Sequence, residues 1–165
     1  MTTPEVSRPQ RAEAIGKAGI MGEIVATPAE CAAVARRLGI PALRSLVGKF
    51  QLQALEGGAI AANATFSARL VRDCVVSLEQ FETTQREAFS LRFVPEGSET
   101  VDPDPESDDE IPFAGGMIDL GEALVEQVAL DLDPFPRKPG AVLPEEAAPE
   151  NVSPFAALAA LRGKR

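Results

Sequence analysis

The segment LVGKFQLQALEGGAIAANATFSARLV, residues 46–71, gives the strongest indication of the fold because its apolar residues recur at every second position. Residues 46–54 and 60–70 each alternate apolar and polar side chains, and Gly57-Gly58 lies between the two runs. Two strands of period two that flank a glycine pair predict an antiparallel hairpin with one apolar face and one polar face.

The length of the hairpin loop follows from the same alternation. A two-residue Gly-Gly loop would place Leu52 opposite Asn63 and mix the two faces. A three-residue loop over residues 56–58 places Leu52 opposite Ala62 and keeps each face uniform. We therefore predict the three-residue loop, with a glycine at positive φ.

Further elements complete the predicted layers. Alternating apolar residues indicate a third strand from about residue 83 to residue 94. A helix at 28–38 is predicted from Thr27-Pro28-Ala29-Glu30, which has the form of a capping box, and from Gly39 as its stop. Asp119 opens a second helix that continues to residue 130. The predicted class is α+β: an antiparallel sheet of at least three strands covered by these two helices.

Charge divides the chain into unequal parts. Residues 94–136 contain no Lys or Arg and thirteen Asp or Glu, a net charge of −13, whereas residues 1–93 and 137–165 each carry a net charge of +2. The total of −9 therefore describes one segment and not the whole surface. Residues 95–112 are proline-rich and almost free of apolar side chains, so we expect an acidic disordered insert there.

The rest of the domain organisation follows from composition. We expect a flexible N-terminal arm over residues 1–18, the main domain over 19–136, and a Pro/Ala/Glu-rich linker over 137–152. Ser153-Pro154 opens a short C-terminal helix at 153–162.

The absence of histidine excludes much chemistry. Without it there is no Ser-His or Cys-His nucleophile and no imidazole ligand for a metal, and two cysteines cannot complete a zinc site. We predict no enzyme activity, no metal site, no cofactor and no small-molecule substrate. The chain also shows no leader-like or membrane-spanning apolar segment, so we expect a cytoplasmic protein with two free thiols, Cys31 and Cys74, and no membrane partner.

Local basic residues leave nucleic-acid binding open. The candidate contacts are Lys49, Arg69, Arg72, Arg137 and Lys138. Scattered charges that only maintain solubility are the competing interpretation. Aromatic residues that could stack on bases are not interleaved with these cations.

Several segments, in order between residues 47 and 161, resemble the DUF177 or YceD family of large ribosomal RNA subunit accumulation proteins. The segments are Asp73–Phe81, a strand toward Phe93, the acidic insert, Ile118–Glu122 with its helix, Leu130–Pro136, and Ser153–Leu161. The resemblance implies a non-enzymatic role in the accumulation of 23S ribosomal RNA and in assembly of the large ribosomal subunit.

The chain departs from the family pattern at its cysteines. Many relatives carry Cys-x-Arg-Cys-Leu where this chain has Cys74-Val-Val-Ser77-Leu78, and a further cysteine group where it has Pro136-Arg-Lys-Pro-Gly140. Cys74 and Ser77 thus form a degenerate motif. Any metal or redox role that those cysteines have in relatives is absent here.

Two functional hypotheses follow. In the first, the polar sheet face with Lys49 and Arg69 binds ribosomal RNA or a large-subunit ribosomal protein, and the C-terminal helix docks through Phe155, Leu158 and Leu161. That helix packs on its own domain in the alternative interpretation. In the second hypothesis, the eight carboxylates of residues 96–110 make the protein an acidic adaptor or chaperone for a basic partner protein.

Overall fold

A computed structural model describes residues 4–100 and 108–142. The strands are β1 Pro9–Arg11, β2 Ile20–Val25, β3 Ala42–Ala54, β4 Ile60–Asp73, β5 Gln80–Pro95, β6 Asp109–Phe113 and β7 Met117–Asp119, and the helices are α1 Pro28–Leu38 and α2 Leu120–Leu130. The fold is α+β, as predicted.

The main sheet has the strand order β2-β3-β4-β5-β6. Neighbours from β2 to β5 are antiparallel, but β5 and β6 are parallel, with Leu91 opposite Asp109 and Pro95 opposite Phe113. The predicted antiparallel sheet of at least three strands is therefore confirmed from β2 to β5, and the parallel strand β6 at one edge was not predicted. β5 ends at residue 95, and β6 then runs beside β5 in the same direction, so the sheet is mixed.

The β3–β4 hairpin confirms the predicted register. Leu52 lies opposite Ala62, and the Leu55 N–H donates to the Ala59 carbonyl across the three-residue turn Glu56–Gly58. Gly57 has φ 73°, so the turn uses the left-handed conformation that glycine adopts without strain.

Both predicted helices cover the apolar face of the sheet. Val34 of α1, Leu46 of β3, and Leu124 and Val128 of α2 are fully buried in one core. A Cβ at Gly48 would lie 2.8 Å from both methyl carbons of Leu124, so the glycine lets α2 lie directly against β3.

The boundaries of α1 are set by local signals, as predicted. The Thr27 hydroxyl accepts from the Glu30 N–H, and the Glu30 carboxylate accepts from the Thr27 N–H at 2.7 Å. Gly39 ends the helix in the left-handed conformation, at φ 64°. Arg8, from the N-terminal segment, forms a second pair of bonds to Glu30, at 2.7 and 3.0 Å.

Residues 4–18 do not form the flexible arm that was expected. Val6 is 0% exposed, Ile15 is buried, and β1 pairs with β7. Asp119 accepts from the Arg8 N–H and from the Ser7 hydroxyl. A Cβ at Gly121 would lie 2.4 Å from the Val6 carbonyl oxygen, so this close approach requires glycine. Composition did not predict this order, because Val6 and Ile15 are isolated apolar residues whose burial depends on distant segments.

The acidic insert is only partly described. Asp109–Phe113 forms β6, and Glu110 accepts from the N–H and the hydroxyl of Thr100, so part of the expected disordered insert is ordered. Residues 101–107 lie outside the described residues, as do most of the predicted linker and the C-terminal helix at 153–162. No helix among the described residues has the length and apolar character needed to cross a membrane.

Candidate nucleic-acid interface

The face of the sheet opposite the helices, here called the open face, carries the outward side chains of β2 to β5. Alternation along each strand and the pairing register place the exposed apolar side chains of Met21 and Val25 on this face. The polar and charged side chains there are Glu23, Lys49, Gln51, Gln53, Asn63, Thr65, Ser67, Arg69, Arg86, Ser90 and Arg92. Within the described ranges, neither helix packs on this face.

Two of the predicted cations lie on the open face, and each faces a carboxylate. The Lys49 Nζ is 3.7 Å from Glu23, and the Arg69 Nη2 is 2.6 Å from Glu82. The side chains of Lys49 and Arg69 are 69% and 57% exposed, so these pairs contribute little to stability and open readily to a competing anion.

Two cavities lie on the open face. One, of about 460 Å³, is lined by Lys49, Gln51, Asn63, Thr65 and Ser90 among others. The other, of about 390 Å³, extends it past Thr65 and Ser67 to Arg86. These cavities offer hydroxyl and amide groups beside two cations, the donors and acceptors that sugar and phosphate oxygens require.

Aromatic rings are directed away from this surface. Phe50 and Phe89 meet edge to face with ring centroids 6.0 Å apart, and alternation places both on the side covered by the helices. The described part of the open face therefore suits backbone contacts and not base stacking.

Arg72 and Arg137 line a separate cleft at the far end of β4 and β5. The 131–137 segment crosses this end after α2 stops, and the Arg72 Nη2 donates to the Asp133 carbonyl at 2.7 Å. The cleft has a volume of about 250 Å³ and is lined by Leu70, Arg72, Phe81, Thr83, Thr84, Gln85, Asp131, Asp133, Pro136 and Arg137. The structure thus divides the predicted basic residues between two surfaces.

Lys138 belongs to a third location, the tight turn that holds Cys74. The buried Cys74 Sγ accepts from the N–H groups of Val76, Ser77 and Lys138 at 3.3–3.4 Å. The Lys138 side chain pairs with Glu79 at 2.9 Å. The two segments in which many relatives carry cysteines therefore meet at one point, although a single thiol remains there.

Hydrogen bonds explain the acidity of this thiol. Those from the Ser77 side chain and the Ser77 N–H, followed by those from Lys138 and Val76, lower the pKa of Cys74 to about 6 against the opposing effect of burial. In the described part of the chain, no three His, Cys, Asp or Glu side chains are grouped so that they could hold a metal ion. In this arrangement Cys74 acts as a hydrogen-bond acceptor that ties the turn to residue 138.

The open face can be predicted from the sequence, whereas the cleft cannot. Period-two alternation places Lys49, Arg69 and Arg86 on one surface without further information. The cleft joins β4 and β5 to residues 131–137, and no local pattern relates these segments. Phe155, Leu158 and Leu161 lie outside the described residues, and their role stays a prediction.

A scan against family models matches residues 62–162 to the family described as large ribosomal RNA subunit accumulation protein YceD. Comparisons with curated proteins and with solved structures gave no significant match. The family match begins within β4 and includes the cleft, the Cys74 turn, the insert and α2. Its name connects the family with accumulation of the large-subunit ribosomal RNA and not with an enzymatic reaction. Because the match spans more than half of the chain, this protein belongs to the YceD (DUF177) family.

Proposed function

We propose that this protein supports 23S ribosomal RNA accumulation and large-subunit assembly by binding ribosomal RNA, without catalysis, through the open face. The observation that carries the proposal is the uncovered polar face, whose two adjoining cavities share Lys49 and Thr65. A role in ribosome assembly also favours a cytoplasmic location, as the sequence led us to expect.

Local charge supports RNA as the partner despite the acidic total. Lys49, Arg69, Arg86 and Arg92 lie on the open face, where the neighbouring carboxylates are Glu23, Glu82 and, beside Arg92, Glu110. Arg86 forms no ion pair with a described residue, which makes it the strongest candidate for a phosphate contact. Screening over about 8–10 Å at physiological salt makes such local charges matter more than the total of −9.

A binding role also agrees with the state of the ionisable groups. The most perturbed carboxylate, Glu30, has its pKa lowered to about 2 by hydrogen bonds from Arg8 and from the Thr27 N–H, so it stays ionised and is suited to structure. Cys74 is buried in its turn and has no histidine to accept a proton.

The test is charge reversal on the open face in the full chain. The double variant Lys49→Glu with Arg86→Glu should bind a 23S RNA transcript at least about tenfold more weakly, because each reversal removes an attraction and adds a repulsion. Arg11→Glu with Arg36→Glu is the matched control, since both residues are exposed, lie off the open face and change the net charge equally.

The cellular measurement decides the assignment. Cells depleted of the protein should contain less 23S RNA and a smaller 50S peak in sucrose gradients. The control variant should restore both, and the open-face variant should not. Unchanged 23S RNA and a normal 50S peak after depletion would refute the proposed function.

An acidic adaptor for a basic ribosomal protein is the second candidate. The ends of the insert are held together because Glu110 accepts from the Thr100 N–H at 2.7 Å, and Asp108 and Asp109 are exposed beside this contact. A chain with the carboxylates of residues 96–109 neutralised to amides should then lose a basic protein partner at low salt while RNA binding persists. Equal binding of that partner by both chains would exclude this candidate.

A further inference from the structure

We propose that the cleft between the β4–β5 end and residues 131–137 binds one unstacked base of single-stranded RNA. This inference rests on the proposed function and extends it, because the described part of the open face presents no outward aromatic ring on which a base could stack. The cleft would tell single-stranded from double-stranded RNA, whereas the open face would bind both.

The chemistry of the lining favours a base over a simple anion. Arg72 and Arg137 bring two positive charges, but Asp131 and Asp133 bring two negative charges to the same cleft, so an isolated phosphate gains little. A small site that offers both donors and acceptors suits the edge of a nucleobase, which presents both kinds of group.

The cleft also has an apolar side for the flat surface of a base. Phe81 is half-buried, and it lines the cleft together with Leu70 and Pro136. Phe81 lies opposite Arg72 in the β4–β5 register, so an aromatic ring and a guanidinium group are neighbours. Unstacked bases in RNA complexes pack on aromatic rings and on arginine planes.

The polar groups are held in place before any ligand binds. The Gln85 Nε2 donates to the carbonyl and the carboxylate of Asp131, and the Asp133 carboxylate accepts from the Phe135 N–H. Arg72 is fixed by its bond to the Asp133 carbonyl. The volume of about 250 Å³ is below the range of drug-sized ligand pockets and suits a single base.

The experiment measures fluorescence anisotropy of the full-length protein with one labelled RNA sequence in single-stranded and in double-stranded form. Phe81→Leu keeps an apolar side chain but removes the ring, and should weaken single-stranded binding about tenfold while duplex binding is unchanged. Phe113→Leu is the matched control, because Phe113 is also a half-buried strand residue and pairs with the opposite end of β5.

Arg137→Gln provides a second variant that does not depend on the packing of Phe81, since Arg137 is exposed. It should also weaken single-stranded binding selectively, whereas Arg11→Gln should not. If both cleft variants bind single-stranded RNA as tightly as the wild-type protein does, the cleft proposal is refuted. It is also refuted if the variants lose binding of a protein partner but keep binding of RNA.

The same assay separates the two proposals. If Lys49→Glu with Arg86→Glu loses binding to both RNA forms and the cleft variants lose neither, the open face stands and the cleft is refuted. If the wild-type protein binds neither form, both proposals are refuted.

Discussion

At the scale of single residues, Gly48 sets how closely α2 approaches the sheet. Leu124 is fully buried and its methyl groups occupy the space that a side chain at residue 48 would need. A new methyl group there must displace a packed core residue, which is costly because protein interiors contain few voids.

Gly48→Ala is therefore expected to lower the free energy of unfolding by roughly 1–3 kcal/mol, measured by urea denaturation. Gly22→Ala is the control on the adjacent strand, since a Cβ at Gly22 would meet nothing within 4 Å. That control should leave stability unchanged or raise it by about 0.5–1 kcal/mol. Equal losses in the two variants would contradict the close contact between α2 and β3.

The lowered pKa of Cys74 predicts how the stability of the protein depends on pH. Its pKa in the folded protein is lowered to about 6 from an ordinary value of 9.0, so the folded state favours the thiolate. A lowered pKa adds stability that is fully present above the unfolded value and is lost as the pH falls through the folded value. The stability difference between the wild-type protein and Cys74→Ala should therefore grow from pH 6 to pH 9.

Cys31→Ala is the matched control for this experiment. Cys31 is also buried, but burial raises the pKa of its thiol, so its stability difference should not grow over this interval and should fall near pH 9, where only the unfolded thiol ionises. Urea denaturation at several pH values measures both differences. Parallel pH curves for the two variants would show that the Cys74 turn does not favour the thiolate.

Among the elements, the N-terminal segment is joined to the fold by a short strand, two buried side chains and ion pairs. Val6 is completely buried beside Gly121, β1 pairs with β7, and Arg8 joins Glu30 of α1. The Arg8–Glu30 pair thus joins the start of the chain to α1, and the packing of Val6 against Gly121 joins it to α2.

Val6→Ala should destabilise the protein by about 2 kcal/mol, because it removes two buried carbon atoms and leaves a cavity. Val25→Ala is the control, since Val25 lies exposed on the edge strand β2 and should change stability by about 0.5 kcal/mol or less. Thermal or urea unfolding compares them, and a Val6→Ala variant as stable as Val25→Ala would restore the flexible-arm interpretation.

Some elements can be predicted from their own residues, and others cannot. The β3–β4 hairpin and α1 were predicted because alternation, the glycine turn and the caps act between near neighbours. β6 was missed because Ile111 and Phe113 are two apolar residues after a long acidic run, and their partner strand ends at Pro95. Two parallel neighbouring strands are not joined by a tight turn, so no local signal identifies β5 as the partner of β6.

At the scale of the whole molecule, the uneven charge predicts a modest dependence of RNA binding on salt. Few cations lie on the open face, and each phosphate contact with a single strand contributes a slope of about −0.7 in log K against log salt. Replacing Lys49 and Arg86 by Glu should flatten that slope by about 1.4, measured in a salt titration. The Arg11 and Arg36 control should keep the wild-type slope, and a slope unaffected by the open-face pair would show that phosphates bind elsewhere.

The C-terminal residues Phe155, Leu158 and Leu161 lead to another prediction at this scale. If their helix docks on a partner, a chain ending at residue 142 should unfold at the same temperature as the full chain but should fail to restore 23S RNA levels. A lower unfolding temperature for the truncated chain would favour the alternative, packing of this helix on its own domain.

The hairpin register, the limits of α1, the polar face and the resemblance to the YceD family could all be predicted from the sequence. These features depend on side chains within a few residues of one another, so periodicity, caps and turns specify them directly. Three features could be found only from the folded chain: β6 pairs in parallel with β5, residue 138 contacts Cys74, and Phe81 and Arg72 form a cleft with Asp131 and Asp133. Each of these contacts closes a long loop, and the energy that selects it comes from burial and hydrogen bonds between distant segments, which no local pattern records.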